Sequence, residues 1–153
     1  TGGIDIGGGT DATDGTATIT FGGSGAQAIA GVIDALGADN TGILKVTNTA
    51  GLVTFGNNVG TTNDLRNITI GGSAFDSDAK FSGEARAQTI TVIGGDAADG
   101  SEDSTVEFAA ASFGAVVLTP GTISTNTAKI TFSNSAISSS TFCLFTASTS
   151  DFR

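Results

Sequence analysis

A three-residue phrase, apolar–polar–apolar, recurs along this chain and constrains its fold more than any other feature. It occurs as Ile19-Thr20-Phe21, Leu44-Lys45-Val46, Val53-Thr54-Phe55, Ile68-Thr69-Ile70, Ala79-Lys80-Phe81, Ile90-Thr91-Val92, Val106-Glu107-Phe108 and Ile130-Thr131-Phe132. Alternation at period two sends the outer pair of side chains to one face of a strand and the middle one to the other. The middle residue is always Thr, Lys or Glu, so each phrase reads as a strand with one face in a core and one in water. Glycine, 23 of the 153 residues, supplies the corners between strands. The fold class is therefore all-β.

Spacing narrows the architecture. With Leu118 included and alternate strands skipped, the strand ends are separated by 24 (46 to 70), 26 (55 to 81), 22 (70 to 92), 27 (81 to 108), 26 (92 to 118) and 24 (108 to 132) residues. A loose period in the twenties predicts a β-solenoid-like stack of short strands, each coil resting its apolar face on the coil below. A β-sandwich, whose strands recur at about 8–12-residue intervals, is the alternative that spacing alone leaves open. Two segments are apolar throughout, Ala115–Leu118 before the only proline, Pro120, and Phe142–Phe145. Both read as candidates for strands covered on both faces, by another layer or by a neighbouring molecule.

One segment speaks locally for a helix. Ser24-Gly25-Ala26-Gln27 fits a capping box, Ile29, Val32, Ile33 and Leu36 follow at helical spacing, and Gly37 stands where a C-cap would. The interior glycines Gly25 and Gly31 weaken that pattern.

Composition removes much chemistry. The chain has no His, Met, Trp or Tyr, and Cys143 is its single cysteine. That excludes histidine-dependent nucleophile systems, imidazole metal ligands, zinc sites and an internal disulfide. Cys143 sits among Phe142, Leu144 and Phe145 and reads as a small buried residue. A net charge of −9 with only six basic residues argues against nucleic acid and anionic membrane surfaces as partners. No apolar run approaches the roughly 20 residues of a membrane-spanning helix, so membrane insertion by a helix is not expected.

Carboxylates are the only functional side chains in quantity. They cluster at Asp11/Asp14, Asp34/Asp39, Asp76/Asp78 and in GGDAADGSED, residues 94–103, which holds Asp96, Asp99, Glu102 and Asp103. Acidic side chains on a glycine-containing turn are calcium chemistry, and these four are the candidate metal ligands, with calcium as the candidate cofactor. The stretch lacks the ligand spacing of an EF-hand and of calcium-binding nonapeptide repeats. It reads equally as a solvated turn between the strands at Ile90–Val92 and Val106–Phe108. Paired carboxylates also hydrolyse glycosides, but the chain offers no Trp or Tyr platform for a sugar, and no enzymatic activity is expected. The threonines on the outer faces read as ordinary strand solvation, since Lys45, Lys80 and Glu107 interrupt any uniform ladder.

Residues 16–92 resemble the repeats of bacterial surface β-strand-repeat proteins, the autotransporter-passenger-like and surface-layer-like group. The phrases that carry the likeness are TATITFGGSGAQAIAGVI, GILKVTNTAGLVTFGNNVG and LRNITIGGSAFDSDAKFSG. The resemblance implies an extracellular β-solenoid with a structural or adhesive role and no active site. It also implies that AQAIAGVI is a pair of strands with a turn, against the local helix pattern. Members of that group run to many repeats and this chain is short, which suits a subunit that assembles by addition.

Residues 1–16 read as a glycine-rich arm able to add a strand to a neighbour, 17–146 as the β domain and 147–153 as a tail; the start at Thr1 suggests a processed or excised piece. The expected function is a non-enzymatic extracellular subunit of a self-assembling cell-surface layer or filament, its main partner further copies of itself. The alternatives are an adhesin module that binds a glycan or other cell-surface ligand, and a viral fibre domain.

Overall fold

The computed structural model describes residues 2–7, 17–74, 76–95, 103–119 and 127–133. Twelve strands follow one another: β1 (Ile4–Ile6), β2 (Ala17–Gly23), β3 (Gln27–Ile29), β4 (Ile33–Ala35), β5 (Gly42–Asn48), β6 (Leu52–Phe55), β7 (Leu65–Gly71), β8 (Asp78–Phe81), β9 (Ala85–Ile93), β10 (Ser104–Phe108), β11 (Ser112–Thr119) and β12 (Ala128–Phe132). Among the described residues there is no helix.

Every strand pair is parallel and joins one coil to the next. A first sheet runs in the order β11-β9-β7-β5-β2 and a second in the order β12-β10-β8-β6-β3. A third, narrow face begins with β1 and β4 and continues through the bridges Ile33–Val59 and Val59–Ala85. The chain is a β-solenoid of about four turns. A sandwich of antiparallel sheets is excluded by the parallel pairing.

The registers reproduce the sequence spacing strand by strand. Val46 pairs with Ile70, Phe55 with Phe81, Ile70 with Val92, Phe81 with Phe108, Val92 with Leu118 and Phe108 with Phe132. The six intervals read from the triplets are thus the lengths of individual coils.

In-register parallel pairing stacks like side chains, because neighbouring strands lie about 4.8 Å apart along the axis. Inside the second sheet Phe55, Phe81 and Phe108 are buried and form a column ending on half-buried Phe132. Their ring centroids are 4.7, 5.3 and 5.7 Å apart with interplanar angles of 12–22°. Phe21, from the first sheet, closes the other end edge-on at 5.3 Å. Facing the column, the first sheet contributes Leu44, Val46, Ile68, Ile70, Ile90 and Val92, all fully buried.

Residues 24–37 form β3 and β4, which lie on different faces and pair with neighbouring coils rather than with each other. The apolar residues at helical spacing do not share one environment. Ile33 is fully buried, Ile29 half-buried and Leu36 48% exposed. A Cβ on Gly31 would press on the Gly2 backbone, so this glycine admits the close approach of the β1 strand, which pairs with β4 of its own chain. Local propensity yields here to inter-coil pairing. In β11 Val116 is buried, Val117 and Leu118 half-buried and Ala115 exposed, so among the described residues only one of its faces is packed in the core. The apolar run Phe142–Phe145 lies outside the described residues.

The narrow face depends on glycine at one point. Gly60 has φ +71° and its Cβ position is occupied by the Arg86 carbonyl, so the coil turns tightly against the next one only without a side chain.

Because the members of the column differ in burial, truncations along it should differ in cost. Phe81→Ala should destabilise by about 3–5 kcal/mol, and Phe132→Ala, at the half-buried end, by clearly less. Urea unfolding of the two variants checks the order.

Candidate functional site

At the corner between the first and second sheets, a set of polar side chains stands beside Asp76, Asp78 and Asp103. The inner wall of the corner is a buried polar column. Asn48 ends β5, and its Nδ2 donates to the carbonyls of Ala50 and Gly51, both at 2.5 Å, and reaches Gly25 O at 3.3 Å. Its Oδ1 accepts from Gln27 Nε2 at 3.4 Å. One coil on, Ser77 Oγ donates to the Asn48 carbonyl at 3.0 Å, and the Ser77 N–H donates to Ser104 Oγ at 3.2 Å. Asn48, Ser77 and Ser104 are all buried. The chain must leave one sheet and enter the next here, so its backbone groups lose ladder partners and these side chains replace them.

The carboxylates do related work. Asp103 Oδ1 accepts from Thr127 N at 2.6 Å, Asp34 Oδ1 from Thr62 N at 3.0 Å and Asp39 Oδ1 from Asp64 N at 2.9 Å. Asn58 Oδ1 does the same for Glu84 N at 3.1 Å. Each acceptor lies one coil from its donor, 24 to 28 residues away. A side-chain oxygen at a corner thus fastens the following coil by its backbone.

Of the four candidate calcium ligands, Asp103 is placed at this corner, exposed and bound to Thr127, while Asp96, Asp99 and Glu102 lie outside the described residues. Asp11 and Asp14 also lie outside them. Asp76 and Asp78 come together with Asp103 along a polar notch of about 30 Å³ that Asn48, Thr49, Ala50 and Gly51 complete. That volume is of the order of one water molecule, and Asp78 is engaged by the Thr105 hydroxyl. Among the described residues no group of three or more carboxylates has the arrangement to hold a metal ion. Asp34 and Asp39 stand on the other side of the solenoid, in contact with Thr62 and Asp64.

The outer surfaces of the two sheets differ. The second carries a charged row in which Lys80 Nζ meets Glu107 at 3.0 Å and Ser133 Oγ donates to the same carboxylate at 2.7 Å. The Ser133 hydrogen bond first, and then Lys80, hold the Glu107 carboxyl below its ordinary pKa. The outer rows of the first sheet carry Thr18, Thr20, Asn67, Thr69, Thr89 and Thr91 with Lys45 among them.

Sequence reasoning missed Asn48, Ser77 and Ser104. The available signal was their spacing of 29 and 27 residues, one coil apiece, each beside a strand end and flanked by Thr or Asp (Thr47/Thr49, Asp76/Asp78 and Asp103/Thr105).

Two outcomes follow from the corner and the charged row. Asn48→Ala removes a buried side chain and the donor to the carbonyls of Ala50 and Gly51, and should cost about 1–3 kcal/mol in urea unfolding. Glu107 has a depressed pKa in the fold, so its contribution is complete above the ordinary glutamate value of about 4.3 and is lost as pH falls through and below it. Wild type should therefore lose more stability on acidification from about pH 5 to 3 than Glu107→Gln, as thermal melting across that range would record.

Comparison with protein-family models, with curated proteins and with solved structures returns no match, so a functional reading rests on the surfaces of this chain.

Proposed function

We propose that this chain is a non-enzymatic structural subunit of a self-assembling extracellular layer or filament that lengthens end to end. The observation carrying this reading is the pair of open ladders. Among the described residues β2 and β3 pair on one side only at one end of the solenoid, as β11 and β12 do at the other. Unpaired edge groups and the last apolar coil both gain from a further coil. At the first end Ile19, Phe21 and Ile29 are half-buried; at the second, Leu118, Ile130 and Phe132 are. A second copy setting its β3 beside β12 continues the parallel ladder and puts Ile29 and Phe21 against Phe132. The likeness of residues 16–92 to bacterial surface repeats supports an extracellular setting. Calcium, where it takes part, bridges copies through the carboxylates of Asp96, Asp99, Glu102 and Asp103.

Light scattering across a concentration series, with micrographs of the same samples, tests this. Ordered polymers that grow with concentration are expected, and a calcium contribution would add a rise in melting temperature that chelator reverses. A chain that stays monomeric at high concentration with calcium present overturns the reading.

A further inference from the structure

We propose that the outer face of the first sheet is the lateral contact of this assembly, docking on the acidic corner of a second copy. The inference rests on the assembly reading above and adds to it a direction and a partner surface.

Charge is segregated around the solenoid. None of the described carboxylates lies in β2, β5, β7, β9 or β11, although the chain carries fifteen acidic residues against six basic ones. The same strands hold Lys45, Arg66 and Arg86. Arg86 meets Glu84 at 3.2 Å, whereas Lys45 and Arg66 are exposed and have no ion-pair partner among the described residues. In-register rows disfavour one carboxylate beside another, but a carboxylate beside Lys45 would gain, and Lys45 is flanked by Thr20 and Thr69 instead. Lys45 stands in one outer row with Thr20, Thr69, Thr91 and Val117, beside a second row of Thr18, Ile43, Asn67 and Thr89. Arg66 is exposed near the start of β7. Most side chains of the two rows are short and lose little conformational freedom when covered.

The size of the face sets the kind of contact. Five strands about 4.8 Å apart and about seven residues of 3.3 Å each make a face of roughly 550 Å², of which a corner covers only part. The contact therefore falls below the roughly 1,200 Å² of a stable specific interface, weak alone and effective when repeated along a polymer. The partner must be anionic. A two-fold pairing of this face with itself brings Lys45 and Arg66 towards their own copies, which opposes it. The complement is on the same chain, where Asp76, Asp78 and Asp103 line the corner at the edge of this sheet. Joining a face to a corner is heterologous and does not close, so it propagates side by side.

The test uses the double substitution Lys45→Glu with Arg66→Glu, at two exposed positions where circular dichroism and melting should match wild type. Wild type should form sheets or bundles that separate into filaments one solenoid wide as salt is raised; the double variant should give only the narrow filaments at any salt. Adding Asp76→Lys and Asp78→Lys to it reverses both halves and should restore sheets. Sheets that persist in the double variant overturn the proposal, as does loss without restoration in the fourfold variant. Wild-type filaments that never associate sideways sink this inference and leave end-to-end growth standing, whereas a monomer under all conditions sinks both.

Discussion

Parallel, in-register pairing between coils is the interaction on which the rest of this molecule depends. It places each residue beside the residue about one coil away, so a side chain's neighbour is decided by the same position in the next coil. Apolar positions gain from this: Phe55, Phe81, Phe108 and Phe132 share one row and stack, and Ile68 and Ile90 pair in another. Charged positions lose unless the sign alternates, and in the outer row of the second sheet Lys80 pairs with Glu107 between Thr54 and Thr131. The exception is Asp5 beside Asp34, where Asp34 turns its carboxylate to the Thr62 N–H of the next coil.

Coil lengths are not constant, and corners absorb the differences. Val46 to Ile70 takes 24 residues, Ile70 to Val92 takes 22 and Phe81 to Phe108 takes 27. The sheets keep register only because the extra residues are held off the ladders. Holding them requires acceptors for stray N–H groups and donors for stray carbonyls, which is where Asn48, Asn58, Asp34, Asp39 and Asp103 act. Acidic density at the turns is thus in part a consequence of building a solenoid with irregular coils.

The wide sheets were legible in the sequence because each of their strands is long enough to display period two, and because skipping alternate strands measures the coil. The narrow face was not. β1 and β4 span three residues each, and the face continues through single bridging residues, Val59 and Ala85, which have no period to show. Ile29, Ile33 and Leu36 mimic a helix because the chain changes face every few residues, giving by corner geometry a spacing near that of a helical turn. The acidic clusters were legible as clusters but not as separate structures. Asp34 and Asp39 brace one side of the solenoid and Asp103 the opposite corner, a distinction that only the path of the chain reveals.

The proposed end-to-end growth draws on the repetition of the fold. Repetition makes its ends resemble its interior, so an open coil has the geometry of a paired one and lacks only the partner. Corners rich in carboxylate repel one another over about a Debye length of 8 Å, which limits sideways contact between copies without touching the ends. In the proposed assembly, growth along the axis would therefore meet little electrostatic resistance, while association across it would be restricted to orientations that bring a cation to an acidic corner. With Lys45 and Arg66 in the broad sheet whose described strands hold no carboxylate, the proposed contact would have few such orientations. Order in two dimensions would follow from that scarcity: hydrogen-bond register sets the long direction, and the placement of two positive charges sets the other.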